Sequence, residues 1–74
     1  MNFGDVNPGD IVYVLHSNND AEKEIVKNVS SHNGFIYVDF STTDLKIKVD
    51  AKKSIYFDEE NDVVVFTKKH KLFN

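Results

Sequence analysis

His16, His32 and His70 are the residues whose type best suits a metal, but their spacing does not make a local site. A structural zinc site pairs histidines about three to five residues apart and usually adds cysteines, and this chain has no Cys. The run "DEEND", Asp58 to Asp62, carries four carboxylates. A calcium loop needs alternating ligands, a central Gly and a distant bidentate Glu, which this run lacks. It reads as a solvated acidic turn. Ser30, Ser31, Ser41 and Ser54 stand in no surroundings that would activate a nucleophile. Asp39 and Asp44 read as strand-edge and turn carboxylates. So small a chain also struggles to form a deep pocket. No enzyme activity, metal or cofactor is expected.

A second constellation is basic and aromatic. In "LKIKVDAKKSIYF", residues 45–57, apolar and polar residues alternate at first, so Leu45, Ile47 and Val49 share one face of an extended chain. Lys46 and Lys48 take the other face, and Lys52 and Lys53 follow. With Phe35, Tyr37 and Tyr56 on a neighbouring face, they would resemble the stacking platforms and basic grooves of single-strand binders. Charge argues against a strong version of this. The net charge is −3, Asp50 interrupts the lysines, and there is no arginine to read guanine or phosphate bidentately. About 3–4 neutralised phosphates would give weak, salt-sensitive, sequence-blind binding. The plainer reading makes the lysines the soluble face of a strand, guarding a sheet edge.

Aromatic residues on a sheet surface are also typical anchors for a protein partner, and an exposed edge can accept a strand. Tyr13, Phe35, Tyr37, Leu72 and Phe73 are the candidate contacts. Leu72 and Phe73 also suit packing across an open barrel end, and self-association would supplement a small core. A non-catalytic binding module acting through a protein partner is therefore expected first, and a nucleic-acid binder second.

The elements that must position these residues are mostly strands. "VNPGD" sets a turn, with Pro8 fixing φ and Gly9 free to take φ > 0, and Ile11 to Leu15 follow as a strand. "HSNND" closes that strand. Residues 20–32 fit a helix with Ala21, Ile25 and Val29 on one side, or a strand with Ile25 and Val29 on the core face. Asn33-Gly34 favours the strand, because it is the strongest short hairpin signal and a hairpin needs a strand on both sides. "FIYVDF" is the returning strand, with Ile36, Val38 and Phe40 facing inwards. "STTD" is a loop and "VVVF" a last buried strand. The expected core is Ile11 or Val12, Val14, Ile25, Val29, Ile36, Val38, Phe40, Leu45, Ile47, Val49, Val63, Val65 and Phe66.

At "NPGDIVYVL", "EIVKNVSS", "GFIYVDF" and "VVVFT" the chain resembles the Src-homology-3-like small barrels, and more narrowly short phage and Firmicute proteins of that shape. The resemblance spans about residues 6–67. It implies an all-β, five-stranded single domain with a short tail, 68–74, and an accessory or host-interaction role without catalysis. Richness in Lys, Asn and Ile also suits an AT-rich genome. There is no "ALYDY" stretch and no tryptophan pair, so polyproline binding does not carry over.

Seventy-four residues bound all of this to one domain of small stability margin, with no disulfide to help. The lack of Cys, of a signal-like start and of any long apolar run fits a cytosolic protein off the membrane. Residues 1–45 are acidic, whereas 46–74 hold seven of the nine lysines and are mildly basic. The alternation makes a direct prediction. Ile47→Asp should abolish the cooperative urea transition by removing more than about 4 kcal/mol, whereas Lys48→Glu should leave the domain folded. Equal tolerance of the two would overturn the assigned register.

Overall fold

The computed structural model describes residues 1–17 and 20–67. A short 3-10 turn, Phe3–Asp5, precedes strands β1 (Ile11–His16), β2 (Glu22–His32), β3 (Phe35–Phe40), β4 (Lys46–Asp50), β5 (Ile55–Asp58) and β6 (Val63–Phe66). All neighbouring strands are antiparallel, in the order β4-β3-β2-β1-β6-β5. The sheet curls into a small, nearly closed barrel whose two outermost strands, β4 and β5, are consecutive in sequence. Among the described residues, no helix is long and apolar enough to cross a membrane. Leu72 and Phe73 lie outside the described residues, as does His70.

Local chemistry fixes the turns. Asp10 N–H donates to Asn7 O at 3.0 Å, and Gly9 sits at φ +96°, as a Pro-Gly turn requires. Asn33 and Gly34 both have positive φ, 53° and 82°, so the β2–β3 hairpin turns as its sequence demands. Among the described residues the strand count is six, not the expected five, because residues 45–57 break after Asp50. Its carboxylate accepts from Lys52 N–H at 2.9 Å and its carbonyl from Lys53 N–H at 3.1 Å, which curls the chain into a turn.

Alternation puts Val12, Val14, Ile36, Val38, Phe40, Ile47, Val49, Val63 and Val65 inside, all buried. Phe66 is also buried, its ring stacked on Tyr13 at 5.6 Å between centroids. Leu45 is only partly buried against this core. Two inner residues ahead of β1 were not expected from the sequence. Phe3 and Val6 are buried, and the 3-10 turn is tied down by Phe3 N–H to Lys53 O at 2.8 Å and Gly4 N–H to Ala51 O at 2.9 Å.

The largest correction lies in β2. Ile25 is on the outside, cross-strand from Ile11, while Glu24 and Val26 are buried. A bulge between Val26 and Asn28 inserts one residue, after which Val29 pairs with the inward Val38. The bulge thus lets Val26 and Val29, three apart, both face the interior. It also bends the strand so that its first half pairs with β1 and its second half with β3. Glu24 is accommodated by a short hydrogen bond from the Thr42 hydroxyl. Urea unfolding should separate the neighbours. Val26→Asp should cost more than about 3 kcal/mol by burying a charge, and Ile25→Asp should stay within about 1 kcal/mol. The reverse ranking would exclude the bulged register.

Candidate binding groove at the barrel seam

The barrel is not closed by a backbone ladder. Ala51 N–H bonds Gly34 O at 3.0 Å in register with β3–β4, so Ile47 and Val49 bond to β3 while the backbone groups of Lys46 and Lys48 face away from it. On the other side, Thr67 N–H bonds Ser54 O at 2.9 Å, so Tyr56 and Asp58 bond to β6 and the backbone of Ile55 and Phe57 faces away. Two strand edges therefore confront each other across a seam.

Side chains bridge it. Asp58 is only 5% exposed, and its carboxylate accepts from Lys48 N–H at 3.2 Å, Glu60 N–H at 3.1 Å, Asn61 N–H at 3.3 Å and Asn61 Nδ2 at 2.9 Å. The same Asn61 amide donates to Lys46 O at 2.8 Å. The first residue of "DEEND" is thus not the solvated turn carboxylate expected, but a buried acceptor replacing missing ladder bonds. Glu59, Glu60 and Asp62 remain exposed. Among the described residues, no three His, Cys, Asp or Glu side chains gather as metal ligands would.

Over the seam runs a groove of about 330 Å³, lined by Phe35, Lys48, Tyr56, Phe57, Asp58, Glu59 and Glu60. A second hollow continues past Lys48 and Glu60 towards Tyr37 and Leu45. Phe35 stands on the outer side of β3, and the Lys48 ammonium lies 4.4 Å from its ring centroid. That cation–π contact holds Lys48 along one wall of the groove. Phe57, half exposed, also lines the groove. Tyr56 faces inwards, cross-strand from Val65 and packed on the core, instead of lying on an outward platform.

The expected site residues are only partly brought together. Phe35 and Tyr37 lie side by side with Lys48 and Lys46 on the outer side of β3 and β4. Lys46 is also held by Asp39 at 3.8 Å, an exposed pair worth less than about 1 kcal/mol. Lys52 and Lys53 stay exposed in the β4–β5 turn, and Tyr13 lies two strands away from β5 on β1. Phe57 was not singled out by sequence reasoning, and Glu59, Glu60 and Asn61 were read only as part of a solvated acidic turn. Phe57 was discoverable, since a strand ending at Asp58 with an inward Tyr56 must turn Phe57 outwards.

Comparisons of this chain with protein-family models, curated proteins and solved structures find no match to any of them.

The seam generates a stability prediction. Asp58→Ala should remove about 2–4 kcal/mol in urea unfolding, because four donors lose one charged acceptor. Glu59→Ala, exposed and without such partners, should change stability by less than about 0.5 kcal/mol. If Asp58→Ala unfolded like the parent chain, the carboxylate would not be holding the seam.

Proposed function

We propose that this domain is a non-catalytic binding module that acts through a protein partner seated in the seam groove. The observation that carries the reading is the groove itself, lined by the aromatic rings of Phe35, Tyr56 and Phe57 and by charges of both signs, Lys48 with Glu59 and Glu60. A rigid sheet presents these rings at little cost in entropy, and aromatic anchors in partly desolvated clefts dominate protein recognition. The resemblance to short phage and Firmicute barrels supports an accessory role.

Sequence-blind binding of nucleic acid is the second reading, favoured by the exposed Lys52 and Lys53 of the β4–β5 turn. It has less support. Lys46 is paired with Asp39, Lys48 is drawn onto Phe35, and Glu59 and Glu60 line the same groove as Lys48. A polyanion following the lysines would meet those carboxylates.

The test is an affinity pull-down from a bacterial lysate with the parent chain and Phe35→Ala, each with and without nuclease. Proteins retained after nuclease by the parent, and reduced at least about tenfold by Phe35→Ala, are the expected outcome. Capture that vanishes with nuclease, or that Phe35→Ala leaves intact, would overturn the assignment.

A further inference from the structure

Among the described residues, no strand bonds to the seam side of β5. Tyr56 and Asp58 bond to β6, so the N–H and C=O of Ile55 and Phe57 point into the seam. These four backbone groups have no hydrogen-bond partner among the described residues. The facing groups of β4 are partly used, since Lys48 N–H donates to Asp58 and Lys46 O accepts from Asn61. Ile55 and Phe57 are also open to solvent, at 43% and 49% exposure. An open strand edge is a template for one more strand. The groove beside this edge is acidic, its lining setting Lys48 against Asp58, Glu59 and Glu60. The Asp58 carboxylate is filled by its donors, and the Lys48 ammonium lies over Phe35. Glu59 and Glu60 are exposed and make no ion pair among the described residues. Their carboxylates follow directly on the free edge, where β5 runs out into its turn. Glu60 also lines the second hollow, together with Asp44.

On the reading that a protein partner sits in the seam groove, we infer that its occupying part is an extended, basic segment that adds as a strand to β5. The backbone of the segment takes the free groups of Ile55 and Phe57. A lysine or arginine of the segment lies beside Glu59 and Glu60, next to the Phe57 ring. An apolar neighbour covers the exposed side of Phe57. Charge and backbone together select this chemistry. An acidic segment would meet carboxylates that have no counter-ion, and a proline-rich one would lack the N–H groups that the β5 carbonyls accept. Covering β5 and the start of its turn takes about six residues at about 3.3 Å each.

The test pans a display library of random segments of about seven residues on the intact chain. The expected selection is enriched at least about threefold in Lys and Arg, is poor in Pro, and is lost with Phe35→Ala. Glu59→Lys with Glu60→Lys, checked for a native circular dichroism spectrum, should weaken the selected peptides at least about tenfold and turn a fresh selection towards Asp and Glu. The strongest peptide is then synthesised with N-methyl groups on alternate residues. One phase should lose at least about tenfold in affinity and the other should bind as before, because an added strand turns only every second N–H towards β5. Peptides that need Phe35 but show no basic bias, or that withstand the charge reversal, keep the groove as the binding site and overturn the inference. Equal effects of the two N-methyl phases overturn strand addition in the same way. Peptides indifferent to Phe35→Ala overturn the groove and the inference together, and a library that yields no enriched clone overturns the inference. Capture that appears only with Leu72→Ser and Phe73→Ser would assign the groove to this chain's own residues 68–74 and also overturn it.

Discussion

A barrel of this size has to close or leave two strand edges open to other chains, and here closure depends on the Asp58 carboxylate. Its neighbour strands never form a ladder. The four donors converging on Asp58, two of them from Asn61, replace backbone pairing with side-chain pairing. The far end of the seam is held differently, by the 3-10 turn bonded to Ala51 and Lys53. Between these two fastenings β4 and β5 remain close, and their outward side chains stand apart enough to leave a groove. Burying a carboxylate is tolerable only when its acceptor capacity is filled. That condition is met by a turn, Glu59–Asp62, whose N–H groups have no sheet partner of their own.

The same arrangement explains why exposed aromatic and charged side chains collect at this place. Ladder bonds would have drawn β4 and β5 together and filled the cleft with their own side chains. Without them, Phe35, Lys48 and Phe57 keep solvent-facing surfaces around a fixed floor. Lys48 shows how composition and site interact. Its backbone N–H serves closure through Asp58, and its ammonium lies over Phe35, so one residue links the stability of the seam to the shape of the groove.

The parts of the fold legible in the sequence were those governed by local rules. Pro8-Gly9 and Asn33-Gly34 turned as their φ preferences require, and the alternation in "FIYVDF" and "LKIKVD" placed Ile36, Val38, Ile47 and Val49 inside. β2 was legible as a strand but not in register. A bulge is one extra residue with no sequence mark of its own, so strict alternation put Ile25 where Val26 stands. Phe3 was invisible because its burial depends on acceptors from residues about fifty positions away. The groove was half legible. Its outward aromatics on β3 came from alternation, but the seam arises from tertiary closure, and the break after Asp50 that creates β5 was read through as continuous strand.

The Thr67 hydroxyl donates to the Met1 carbonyl, joining the two extremities of the described fold, and β1 is paired on one side by the last strand. During synthesis this topology imposes an order. The β2–β3–β4 meander needs only neighbouring segments and is able to form as it emerges. Val12 and Val14 must wait for β6, and Phe3 for the β4–β5 turn. Until then the nascent chain is a curved, half-covered sheet with one apolar side open. Final closure is a late event that joins the earliest and latest residues of the fold, so the chain becomes a barrel only after translation of this segment is complete.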